Sequence, residues 1–176
     1  FVFKKLHDMD LLMTSTPPKT PVALTPLQPN EATAVVMVGE HRGIGLHNLL
    51  WILRTFPNHF KNFIFVSVGI VDVESFSAKK ELTTMQENTN EMLDYFVNYC
   101  QQQGLAAKGF AAYGTDPTEK LTRLSKKIIK EFPHSLFFAS KLIFSKDNWI
   151  TRLLHNETAV MLQRRLHLLG VQLVIL

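Results

Sequence analysis

Apolar positions in this chain fall into short, nearly unbroken runs separated by stretches of helical periodicity. The first run is AVVMV, Ala34 to Val38, and a helical pattern follows it from Leu46 to Phe56. The second run is FIFVSVGIV, Phe63 to Val71. A long helical stretch, Leu82 to Gln103, then brings Met85, Met92, Leu93, Phe96 and Val97 near one face. It stops at Gly104, a residue suited to the left-handed position after a helix. Ala106 to Tyr113 reads as a third strand, SLFFA (Ser135 to Ala139) as a fourth and Val171 to Leu176 as a fifth. Helices are expected over Pro117 to Phe132, with Leu121, Leu124, Ile128 and Ile129 inward, and over Trp149 to Leu168. Asp116 and Pro117 supply an N-cap and a first helical residue for the former, and Glu119 adds first-turn charge.

Strands that are apolar along their whole length are buried on both faces. A parallel neighbour needs a long crossover, which a helix supplies. Strands alternating with helices therefore predict an α/β domain built on a five-stranded parallel sheet. No internal repeat or heptad run breaks this pattern.

Composition narrows the organisation. A chain of 176 residues, 46% hydrophobic and 19% charged, suffices for one well-buried domain and is short for two. Pro17, Pro18, Pro21, Pro26 and Pro29 remove backbone donors and favour extended conformations. Residues 1–33 thus read as a flanking segment and proline-rich linker, and residues 34–176 as the domain. The net charge of +4 is modest, and pairs such as Lys126-Lys127 and Arg164-Arg165 sit in helical segments without interleaved aromatics. Solvated helix faces explain them, and nucleic-acid binding is not expected.

Cys100, the single cysteine, cannot form an internal disulfide, and no signal-peptide pattern is present, which fits a reducing, cytosolic environment. The longest apolar run falls well short of the roughly 20 residues that span a bilayer. The opening FVFKKL, with Lys4 and Lys5 behind an apolar scrap, fits the cytoplasmic flank of a membrane helix or the first ordered residues of a soluble protein.

Candidate chemistry follows from the fold class. Open parallel sheets hold ligands beyond the carboxyl ends of their strands, where the strand order reverses. Gly39, Gly43 and Gly45 after the first strand could bring backbone close to a phosphate, with Arg42 supplying charge, or could simply make a tight turn. Asp72 after the second strand could accept from a ribose hydroxyl or end the strand in solvent, and Glu74 follows it. Gly114 to Asp116 follow the third strand, and Ser140 and Lys141 the fourth.

The glycine segment lacks the lysine and hydroxyl pair of a Walker loop, and Asn48 stands where a dinucleotide fingerprint carries a further glycine. His41 and His47, six residues apart, do not share a helical face, so no metal site is expected. Ser67 lies inside a strand, Ser140 lacks a glycine-flanked elbow, and Cys100 has no basic neighbour. No nucleophile and base pair emerges, and the reading is non-enzymatic.

The order of strands and helices, ending in LLHNETAVMLQRRLHLLG and VQLVIL, resembles the universal-stress-protein-like fold. That resemblance implies a three-layer, Rossmann-like sandwich with strand order 3-2-1-4-5. Nucleotide-binding members carry a glycine motif after the fourth strand, whereas ASKLIFSKDNWITRLLHNETA contains no glycine, and Gly39-Glu40 replaces the usual aspartate after the first. The fold is implied here without ATP. More specifically, VGEHRGIGLHNLLWILRTFPNHFKNFIFVSVGIVDVESF, GTDP, FFASKLIF and TRLLHNETAVMLQRRLHLLGVQLVIL are similar to the cytoplasmic tail domain of bacterial APC-superfamily amino-acid permease-like proteins, over about residues 34–176.

The resemblance implies a non-catalytic regulatory or assembly domain at the cytoplasmic face of the inner membrane. Its partner would be the membrane-embedded part of the same polypeptide, and a homodimer would form through the fifth strand, an apolar sheet edge ending at Leu176. FVFKK would then close the last membrane helix, with the proline-rich stretch as tether. The alternative is a stand-alone stress-type protein gripping a nucleotide with Gly39 to Gly45. Otherwise no cofactor is expected.

Overall fold

The computed structural model describes residues 24–39, 41–70, 78–139 and 157–176. The elements run in the order β1 (Thr33–Met37), α1 (Arg42–Thr55), β2 (Asn62–Ile70), α2 (Ala78–Gln102), β3 (Ala106–Gly114), α3 (Pro117–Glu131), β4 (Ser135–Ala139), α4 (Glu157–Leu168) and β5 (Leu173–Ile175). The five strands form one sheet in the order β3-β2-β1-β4-β5, and every pairing is parallel. The fold is the expected α/β architecture, with helices on both faces of the sheet.

Alternation along the strands sends neighbouring side chains to opposite faces. Ala34, Val36, Phe63, Phe65 and Phe138 meet Leu46, Leu49 and Ile52 of α1 and Leu93 and Phe96 of α2. Val35, Met37, Ile64, Val66 and Phe137 meet Leu121 and Ile128 of α3 and Leu162 and Leu166 of α4. Both layers are fully enclosed, which is why β1 reads TAVVM without one exposed position.

Helix ends follow local chemistry. The Asp116 carboxylate accepts from the backbone N–H groups of Thr118 and Glu119 at 2.9 and 3.1 Å, with Pro117 opening α3 behind it. Beyond α2 and α4, Gly104 (φ 73°) and Gly170 (φ 77°) occupy the left-handed region. Leu105 donates to the carbonyl of Cys100 at 2.9 Å, and Val171 to that of Leu166 at 3.0 Å, so both helices close with the same glycine motif.

Some boundaries differ from the sequence pattern: α2 starts at Ala78 rather than Leu82, and β5 covers only Leu173–Ile175. α1 starts at Arg42, so Gly43 and Gly45 lie in its first turn and only Gly39 belongs to the strand-to-helix turn. Packing outweighs the low helix propensity of glycine here. The expected helix from Trp149 is described only from Glu157, and its first eight positions lie outside the described residues.

The end of the proline-rich stretch is fastened to the domain. The amide N–H of Thr25 donates to Oε1 of Gln101 at 2.7 Å. The Asn62 side chain accepts from the Gln28 N–H at 2.8 Å and donates to its carbonyl at 2.7 Å. Asn62 and Gln101 are both buried, and Leu27 packs on the α3–α4 side of the core. The chain thus enters β1 along the pole where the strands begin.

Candidate functional site

The strand order reverses between β1 and β4. The connection after β1 leads to α1 on one face, whereas α3 and α4, before and after β4, cover the other. A crevice at the carboxyl ends of these two strands is where open α/β sheets take ligands. Val38 still bonds β2, its N–H donating to Val66 at 2.9 Å, and Gly39 follows, buried. His41 caps α1 with extended backbone, but its side chain makes no capping bond, and the first turn holds no acid. Among the described residues, no carboxylate of that first turn offsets the positive helix end.

The sequence-predicted residues separate by role. Gly43 is buried within the first turn of α1. Gly45 is a packing residue: a Cβ there would run into the Phe96 ring of α2, which is itself fully buried. Arg42 turns toward α2, its Nη2 4.0 Å from Oε2 of Glu91 and its guanidinium 5.3 Å from the centre of the Tyr95 ring. With 35% of the Arg42 side chain exposed, this is a weak, solvated ion pair supplemented by a cation–π contact. Gly114 lies under the aliphatic part of Lys120, and Asp116 is occupied as the α3 cap. Asp72, Glu74, Ser140 and Lys141 lie outside the described residues.

Two buried polar groups escaped the sequence pattern. Asn48, 2% exposed, has its Nδ2 without a hydrogen-bond partner among the described residues, as has the Tyr113 hydroxyl. Asn48 faces inward among Leu46, Leu49 and Ile52, so its only sequence signal is a polar residue at a core position. Tyr113 crosses Gly69 on β2, where a Cβ would stand 2.7 Å from the tyrosine ring and 2.5 Å from the Met85 sulfur.

Cys100 is fully buried, and burial pushes its thiol from the ordinary 9.0 up to about 12. Such a thiol carries no thiolate near neutral pH and is no nucleophile. Among the described residues no group of three or more His, Cys, Asp or Glu side chains could hold a metal ion. No helix among them is long and apolar enough to cross a membrane.

No protein-family model matches the chain, and no curated protein matches its sequence.

Proposed function

We propose that this chain is a non-catalytic regulatory or assembly domain of an amino-acid permease-like membrane transporter, held at the cytoplasmic face of the inner membrane. The observation that carries this reading is the fastened entry of the chain. Thr25 and Gln28 are bonded to the buried amides of Gln101 and Asn62. A freely jointed linker would decouple a domain from whatever precedes it, whereas a fastened one transmits position. The five-stranded order 3-2-1-4-5 is also the fold that the permease-tail resemblance implies.

A tail domain influences transport only if it contacts the membrane part differently in two transport states. Deleting residues 31–176 from the complete protein should leave a membrane part that folds but changes in uptake or oligomer size. Unchanged uptake, oligomer size and expression would count against the reading. Self-association is part of the proposal: among the described residues β5 pairs only with β4, and Ile175 at its end is 38% exposed. Sedimentation velocity should find a dimer that Ile175→Lys converts to monomer.

A second reading keeps a ligand at the crevice, favoured by the uncapped, acid-free start of α1 beside Gly39. Calorimetry with ATP, ADP, cyclic nucleotides and NAD separates the two. Tight binding abolished by Gly43→Val would replace a purely scaffolding role with a sensing one.

A further inference from the structure

Each described helix runs antiparallel to the strands, so α3 and α4 end at the pole where β1 and β4 begin and where the incoming segment is fastened. Exposed cations gather on the second halves of these two helices, and Glu31 on the incoming segment is an exposed acid at the same pole. On α3, Lys126, Lys127 and Lys130 stand exposed in the second half, while Arg123, one turn further back, is paired within the helix. Its acids are already engaged, Glu119 with Arg123 at 2.6 Å and Glu131 with Lys108 at 3.0 Å. On α4, which packs beside α3, Arg164 and Arg165 are exposed in the second half, and His134 is exposed just before β4.

Two features make this more than a set of solvated helix ends. Last-turn cations complement a helix dipole. That accounts for Lys130, Arg165 and His167, but Lys126, Lys127 and Arg164 lie outside it. In addition, large apolar side chains stand exposed at the same pole: Leu168 is 84% exposed and Leu24, on the incoming segment, 79%. Beside Leu168 an open groove of about 430 Å³ is lined by Gln163, Arg164, His167 and Gln172. Cations beside the protruding Leu168, over an open groove, match a surface of phosphate headgroups above an acyl layer. Single-stranded nucleic acid would need exposed aromatic platforms. Among the described residues, the aromatic ring on this face, Phe110, is only partly exposed and sits under Lys108 and Lys127, 4.7 and 5.4 Å from its centre.

We propose that the pole formed by the ends of α3 and α4 is a docking surface for an anionic lipid bilayer. It deepens the tethered-domain reading and rests on it for the membrane. The carboxyl-end crevice then faces away from the bilayer, and the fastened segment Thr25–Glu31 lies between domain and lipid.

The test is co-sedimentation of the 176-residue chain with phosphatidylcholine vesicles, plain or containing one-third phosphatidylglycerol. Binding should require phosphatidylglycerol and fade at high salt. The triple variant Lys126→Glu, Lys127→Glu, Lys130→Glu should weaken it about a hundredfold, at about fivefold per cation. Its fold is checked by circular dichroism, and Arg164→Gln with Arg165→Gln supplies a milder second variant expected to weaken binding as well. A charge-matched control at the opposite pole, Lys79→Glu, Lys80→Glu and Lys120→Glu in the first turns of α2 and α3, should leave most of the binding intact. The dock is overturned by equal binding to plain phosphatidylcholine, by equal loss in the control, by retained binding in both pole variants, or by tighter binding to a single-stranded RNA than to the vesicles. The assay uses no membrane-spanning segment, so its failure removes the dock alone. Failure of the tethered-domain reading appears separately, as natural protein absent from the membrane fraction.

Discussion

Gly45 lies where α1 presses on α2, with no room for a Cβ before the Phe96 ring. Phe96 is wholly buried and stacked on Phe65 at 5.0 Å, so it cannot swing aside. Gly45→Val should therefore destabilise the domain by about 1–3 kcal/mol, read as a lower urea midpoint at unchanged slope. An unchanged midpoint would mean that the two helices separate easily. Cys100 makes a second residue-scale prediction. Its folded thiol, raised to about 12 from 9.0, keeps its proton where the unfolded thiol loses it. Between these values the native state binds more protons, so stability falls as pH rises, by about 1.4 kcal/mol per pH unit. Thermal unfolding above pH 9 should show this slope and Cys100→Ala should lack it; equal slopes would show that the thiol titrates normally.

At the scale of elements, Asp116 is the clearest local device, a carboxylate on two first-turn amides. Asp116→Ala should cost about 1 kcal/mol, whereas Asp116→Asn keeps most of the cap; equal losses in chemical denaturation would contradict that account. The same cap was legible beforehand, because Asp-Pro before an apolar period signals a helix start by itself. The strands were legible for a related reason, since burial on both faces leaves unbroken apolar runs. The start of α1 was not. Glycines suggest a loop by local propensity, and only the Phe96 contact, contributed by an element some fifty residues away (Gly45 to Phe96), shows why a helix tolerates one at position 45. Likewise Arg42 beside a glycine suggests an anion site, but its partners Glu91 and Tyr95 come from a different helix that no local pattern reveals. The fastening of Thr25 and Gln28 depends on Asn62 and Gln101, again distant in sequence.

Across the whole molecule, the two poles of the sheet differ. The carboxyl-end pole carries the turn at Gly39 and the uncapped start of α1, the arrangement that a sensing role would use. The opposite pole receives the incoming chain, buries the two amides that fasten it, and displays the cations of α3 and α4. On the proposed reading this polarity has a mechanical meaning: the pole nearest the membrane fixes orientation, and the far pole stays open to the cytoplasm. The most direct measurement is fractionation of cells producing the natural protein, followed with an antibody to residues 34–176. The account predicts a polypeptide much longer than 176 residues that stays with the membranes through an alkaline carbonate wash. Release of the reactive polypeptide into the supernatant would contradict it.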